Sequence, residues 1–467
     1  MTSALRFAFI SASYLLLLLI GSLPVIKSQT IEAEIYVDSE YTGWISTGWK
    51  NFPFTDFQKA LSSACPAGGS QNKNSVKIVY FTARPTPYTI PSSLFYQNCG
   101  YIELKALPQS DQQRAKLLFK DELTVNSSAI SFDSFEFLTL EEQIPIIAHL
   151  FKAYNGSVKF SNCFFNLHTN DPSYFSYFYG MNVTIDSCNY SLSENSLGNT
   201  LIFSETILRN VDFYFEDAPL ISTFECFGFD ITETSPMKPS SIDGSDIRIL
   251  PNLTSGLESF SMSILFFVTD TSIRLQRITF DESRNKPLDV EGAQQQLIIA
   301  KFITPDLTFE IRDFEAILAN PLSPLIRVAN TEHNSSVNII LDSIRINRTD
   351  VSFSRTPPSS SYEHIIFSSI QIVIQGQNTS IHVNNFEIAS SSSSLNSSTT
   401  PLNRTSFFSL EIEQPSIDVK FSNLAIQQSI FNSKFLFIKG FISDFIVENV
   451  TIFGSKFYNN FLDFDGK

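Results

Sequence analysis

The chain has 467 residues, 43% hydrophobic and 17% charged, with a formal net charge of −15 from 32 basic and 47 acidic side chains. That supplies apolar material for a sizeable core, and it excludes the basic stripe that a nucleic-acid surface needs, so no nucleic-acid partner is expected. The 45 phenylalanines read as filling for a β-rich interior, in preference to an aromatic ligand platform.

Arg6 is the only charge before an apolar run from Phe7 to Ile20, and Gly21, Ser22 and Ser28 offer small-residue cleavage points. Residues 1–28 therefore read as a secretory signal peptide, and the chain as secreted or displayed on the extracellular surface. Extended to Ile26 the run nears spanning length, so an uncleaved signal anchor is the alternative. No later stretch is long and apolar enough to cross a bilayer, and Ile264–Val268 reads as a buried strand. A membrane enters otherwise only through a C-terminal extension.

Glycosylation acceptors of the Asn-x-Ser/Thr type agree with secretion: Asn126, Asn155, Asn182, Asn189, Asn252, Asn334, Asn347, Asn378, Asn396 and Asn403. A further one, Asn449, falls on a bend position and is expected to stay unmodified.

After the leader, Ile31–Val37 alternates as a strand and is followed by a loop with Gly43, Trp44, Gly48 and Trp49. Thr55-Asp56-Phe57-Gln58 then reads as a capping box with Thr55 as N-cap, opening a short helix whose Phe57, Ala60 and Leu61 share one face. Pro66, Gly68 and Gly69 close it. Val76–Phe81 is the next strand, and Arg84-Pro85-Thr86-Pro87-Tyr88 an extended bend. Residues 29–125 form a cap with the first coils.

From 126 to 467 the chain is organised around an eight-residue module, clearest at Val158, Lys159, Phe160, Ser161, Asn162, Cys163, Phe164 and Phe165. Apolar side chains stand at its first, third, sixth and eighth places. The alternation slips phase at the fifth, a polar residue. Two short strands meeting at a bend give that pattern with both apolar faces turned inward. Copies bend at Ser134, Asn162, Ser187, Asn210, Arg277, Asp313, Ser343, Asn385, Asn423 and Asn449, at intervals of a few tens of residues. A unit of this size cannot bury its apolar face alone and must stack on its neighbours. Short alternating strands also build sandwiches, but a flat strand would carry one face throughout. The pattern blurs over Ser191–Pro251. Ser/Thr/Pro-rich loops are expected at Arg355–Tyr362 and Ser390–Thr405.

Five cysteines leave one over in an oxidising compartment. Cys163 and Cys188 hold the same inward place in consecutive modules, about 4.8 Å apart, which predicts a disulfide or else a buried thiol stack. Cys65 and Cys99 flank the first strand region and are the other expected pair. Cys226 is left unpaired or pairs with another chain.

Stacking would align outward places into rows, where a catalytic or calcium site on a regular face appears as acids in neighbouring coils. The fourth place runs Asp133, Ser161, Asp186, Arg209, Gln276, Arg312, Asp342, Asn384, Ser422, Glu448. The seventh runs Glu136, Phe164, Asn189, Asp212, Thr279, Glu315, Arg345, Glu387, Ala425, Thr451. Neither row places acids in adjacent coils. The five histidines are scattered, without metal-ligand spacing. No catalytic residue, cofactor or metal ligand is singled out.

The order Tyr36-Val37-Asp38, a Gly-bearing loop, Pro53-Phe54, Gln58-Lys59-Ala60-Leu61, Val76-x-Ile78 and Tyr88 resembles the opening of right-handed parallel β-helix proteins of the pectin-lyase-like superfamily. The modules from Ile130 to Ile452 resemble its coils. The resemblance implies an all-β, right-handed parallel β-helix with a short N-terminal capping helix. Pro85-Thr86-Pro87 departs from it, standing where the family usually has a glycine before the tyrosine. The family's catalytic strings, Asn-Thr-Asp, Asp-Asp and Gly-His-Gly, are absent. The expected role is structural, adhesive or glycan-binding, with an extracellular glycan or surface protein as partner. The alternative is a polysaccharide lyase or glycoside hydrolase with loop-borne acids.

Overall fold

The computed structural model describes residues 30–65, 75–90, 92–108, 113–139, 149–167, 174–192, 198–202, 204–216, 224–227, 240–252, 261–268, 271–281, 294–302, 307–317, 325–330, 336–347, 350–353, 370–375, 379–395, 406–412, 417–431, 434–440, 442–458 and 460–465. Residues 1–29 lie outside them.

Strand pairing within these residues is parallel throughout the named strands, each pairing with one a full coil further on. Thr30–Val37 pairs with Ser75–Thr82, which pairs with Leu94–Leu107 and that with Leu123–Asp133. The module's third place then forms one column, Phe132, Phe160, Ile185, Leu208, Gly244, Leu275, Ile311, Leu341, Val383, Phe421 and Val447, each residue directly opposite the next. The chain is a right-handed parallel β-helix, and its core is the shared axis of the coils.

All ten bend residues read from the sequence take positive φ, from +50° at Asn385 to +65° at Ser134. For a residue with a Cβ this costs roughly 1–2 kcal/mol, least for Asn and Asp. Hydrogen bonds between successive corners offset it: Asn423 Nδ2 donates to Asn385 Oδ1 at 3.1 Å, and Asn449 Nδ2 to Asn423 Oδ1 at 3.0 Å. Asn162 Nδ2 donates to Asp133 Oδ1 at 3.1 Å.

One coil escaped the sequence pattern. Ser240–Asn252, inside the blurred stretch, is a further module with Ile242, Ile247 and Ile249 inward and Asp246 at the corner with φ +57°. Its third place is Gly244, where a Cβ would lie 2.7 Å from Leu275 Cδ2 and 2.9 Å from Ile247 Cδ1. Neighbouring side chains fill that space, so the apolar signal vanishes where the packing is tight.

Phe57–Ala64 is the only helix among the described residues, and it buries Phe57, Ala60, Leu61 and Ala64 against the first coil, with Phe57 stacked on Phe81 at 5.7 Å. Its N-cap is Asp56, not Thr55: Asp56 Oδ1 accepts from Lys59 N at 2.7 Å. A carboxylate caps at least as well as a hydroxyl and favours the helix's positive end. Pro66, Gly68 and Gly69 lie outside the described residues. Cys65 at the helix end is disulfide-bonded to Cys99.

In the extended bend Tyr88 is a buried anchor. Its hydroxyl donates to Thr82 O at 2.8 Å and lies 3.2 Å from Val37 O, and burial pushes its pKa up to about 12.

Two expectations change. Ser392–Leu395, within the expected Ser390–Thr405 loop, is a strand in a second sheet, pairing with Asp350–Phe353 and Ile430–Phe431. Serines extend here because neighbours on both sides supply backbone partners.

The Cys163–Cys188 disulfide is absent: both are free buried thiols. Side chains stacked in register are parallel translates, so their Cβ atoms stay a strand spacing of about 4.8 Å apart, beyond the usual disulfide range. Each thiol instead lies against a corner carbonyl, Cys163 Sγ 3.2 Å from Ser161 O and Cys188 Sγ 3.3 Å from Asp186 O.

Candidate functional site

The stack presents ladders of outward side chains, and over four consecutive coils these enclose a groove of about 430 Å³. The coils are Glu205–Glu216, Ser240–Asn252, Thr271–Asp281 and Leu307–Ile317. The second module place gives Ile207, Asp243, Arg274 and Glu310; the fourth gives Arg209, Ser245, Gln276 and Arg312, each in register with the next. Asp243 and Ser245 are short while Arg209, Arg274, Gln276 and Arg312 are long. Short side chains between long ones make a trough on an otherwise flat sheet, floored by Leu208, Gly244 and Leu275.

Three guanidinium groups and two carboxylates meet in this groove. Glu310 is shared: Arg274 Nε lies 3.8 Å from its Oε2, and Arg312 Nε pairs with its Oε1. Among the described residues no ion pair holds Arg209 or Asp243. Fixed pairs stand at the nearby corner. Asp246 accepts two bonds from Arg277, at 2.5 and 2.7 Å, and its pKa is lowered by them. Beyond it Asp212 takes Arg248 in the same bidentate manner. Chemically the groove offers alternating planar donors and paired acceptors, fit for vicinal hydroxyls or a carboxylate. Asp243 and Glu310 are two strands apart with Arg274 between them. Among the described residues no group of three or more His, Cys, Asp or Glu is placed to hold a metal.

A second cluster lies on another face of earlier coils, on His149–Tyr154 and Tyr174–Tyr179. His149 meets the Tyr177 ring edge-on at 5.0 Å, Tyr154 lies 5.8 Å from Tyr177 and 6.4 Å from Tyr179, and Lys152 pairs with Glu122 at 2.7 Å. Burial lowers the His149 pKa to about 4, helped by Lys152 and opposed by Glu122. Sequence reasoning missed both clusters. The groove depends on the unrecognised coil, and the aromatic cluster on strands outside the module.

Of the glycosylation acceptors, Asn155 and Asn182 are exposed and Asn126, Asn189 and Asn347 half-buried; Asn252 ends a strand. Asn334, Asn378, Asn396 and Asn403 lie outside the described residues. Cys226 is on the strand Phe224–Phe227. Burial pushes the Cys163 thiol well above its ordinary pKa, with Cys188 beside it adding to the effect.

No family model matches this chain, and no curated protein matches it. Solved structures are similar over most of its length. PfbA, a surface adhesin of Streptococcus pneumoniae, is 11% identical over 88% of this chain and 89% of its own, with a TM-score of 0.34. The catalytic domain of a GH87 α-1,3-glucanase, solved with nigerose, is 11% identical over 93% of this chain and 67% of its own, at 0.32. A rhamnogalacturonan lyase is 8% identical over 85% and 82%, at 0.21. The fold itself rests on the strand register. Among the described residues no helix is long and apolar enough to cross a membrane.

Proposed function

We propose that this is an extracellular β-helix protein with a glycan-binding, adhesive role, and that the groove over Asp243, Arg274 and Glu310 is its binding site. The groove carries the reading: it joins a concavity to charged groups of both signs in register, the donor and acceptor pairing that sugar hydroxyls and uronate carboxylates take up. The leader, the glycosylation acceptors and the Cys65–Cys99 disulfide support an extracellular setting. Residues 1–28 act as the signal, 29–125 as the cap and first coils, and 126–467 as the load of coils with their inserted loops.

A glycan array followed by titration calorimetry tests this. Wild-type protein is expected to bind at least one glycan saturably, with Arg274→Ala weakening it tenfold or more while circular dichroism stays unchanged. Absence of binding by the wild type, or equal binding by the variant, refutes the site. Turnover of a polysaccharide that Asp243→Asn abolishes would establish the enzymatic alternative instead.

A further inference from the structure

The chain's only two tryptophans stand together, on the segment Tyr41–Phe54 that follows the first strand. Trp44 is 103% exposed, Trp49 74%, Ile45 56% and Phe52 42%. Such exposure of four large apolar side chains within nine residues marks an interaction surface.

The segment is a built hairpin. Gly48 N and Thr47 N both donate to Phe52 O at 2.9 Å, and Phe52 N donates to Trp49 O at 2.9 Å. Its base is tied to the first coil through Tyr36 N to Gly48 O at 2.7 Å and Phe54 N to Tyr36 O at 2.8 Å. Gly48 sits at φ +80° with its absent Cβ 2.5 Å from the Phe54 ring, so the geometry demands glycine. Trp49 and Phe52 thus stand on the hairpin's own paired backbone, and Trp44 and Ile45 immediately precede it on the same segment.

We propose that this hairpin inserts into the interfacial layer of a lipid bilayer. Three observations select a membrane over a sugar or a protein groove. Ile45 is aliphatic and cannot stack on a pyranose, though Trp44 and Trp49 could. Residues 41–54 contain no acid and one cation, Lys50, in a chain whose net charge is −15, and headgroup phosphates favour that local balance. Exposed Thr42, Ser46 and Thr47 flank Trp44 and Ile45, and tryptophan rings in such a setting settle at headgroup depth. The hairpin is a surface distinct from the charged groove.

With both tryptophans in one hairpin, intrinsic fluorescence reads this site alone. Purified protein is mixed with phosphatidylcholine vesicles, and with vesicles whose acyl chains are brominated. The expected result is a blue-shifted emission, loss of quenching by aqueous acrylamide, and quenching by the brominated chains. The double variant Trp44→Ala, Ile45→Ser keeps Trp49 as reporter and is expected to bind vesicles at least tenfold more weakly in flotation, with unchanged circular dichroism. Emission unmoved by vesicles, vesicle binding equal in the variant, or a blue shift given by soluble oligosaccharides in place of lipid would each overturn the proposal.

Discussion

Removing the Phe160 ring should cost the stack about 3–5 kcal/mol, the range for a large aromatic deleted from a core that cannot collapse. The side chain is 1% exposed. It stacks on Phe132 at 5.4 Å, one coil back, and meets Phe165 at 5.2 Å and Phe137 at 5.6 Å edge-on. Those rings sit on strands whose spacing the backbone ladder fixes, so they cannot close on the vacancy left by Phe160→Ala. In a solenoid each coil touches only its neighbours, so the loss is local and a global midpoint would dilute it. Hydrogen exchange read by mass spectrometry on peptides covering Ile130–Phe137, Val158–Phe165 and Val183–Tyr190 is the suitable assay. At about 1.4 kcal/mol per decade, exchange there should accelerate by roughly two to three and a half decades, and remain unchanged in distant coils such as Val419–Ile426. Lys159→Ala, the exposed neighbour, should change it by less than threefold. A change under fivefold at Phe160, about 1 kcal/mol, would mean that the ring does not lie on a shared interior axis.

The corner makes a separate prediction: Asn162→Ala should lose about 1–2 kcal/mol from the left-handed backbone, while Asn162→Gly, free of that strain, should recover much of it in the same exchange assay. Breaking Cys65–Cys99, which spans 34 residues, by a double Ser variant should cost about 4 kcal/mol by loop entropy, seen as early melting of the first coil. Cys163 and Cys188 should resist a thiol reagent in the native protein and react once unfolded. For His149, burial holds the folded pKa at about 4 against an ordinary 6.5. The unfolded chain therefore binds the extra proton first. Stability is full above pH 6.5, falls as pH drops through the window to 4, and is flat below it. The loss is about 1–2 kcal/mol after allowance for solvent at a half-buried ring, and His149→Gln should remove that part of the slope.

The corners were readable from sequence because each is a local event: a polar residue, a phase slip, apolar partners two places before and one place after. That signal depends on no distant contact. The helix was readable by its buried face but displaced at its start, since Thr55 and Asp56 are both good caps and the choice between them is made by the turn leading in. The strand Ser392–Leu395 was unreadable for a different reason. Its own side chains do not favour extension, and its pairing partners lie some forty residues away on either side.

The missed coil explains why the groove was invisible. Without Ser240–Asn252, the fourth-place row runs from Arg209 straight to Gln276, and the seventh from Asp212 to Thr279. With it, Ser245 and Arg248 enter those rows, and Asp243 enters the second-place row between Ile207 and Arg274. The residue that hid the coil, Gly244, is also the groove's floor, and the two short side chains on either side of it are what make a flat sheet concave. A sequence that keeps its apolar periodicity through ten coils and relinquishes it at one place has lost local consistency there, which is where a binding site is expected when stability and function compete. The same substitution links the two readings: Gly244→Val, forced against Leu275 and Ile247, should destabilise this coil by about 1–3 kcal/mol and distort the groove together. If glycan binding survived that distortion unchanged, the groove would be a by-product of packing and the site would have to be sought elsewhere on the stack.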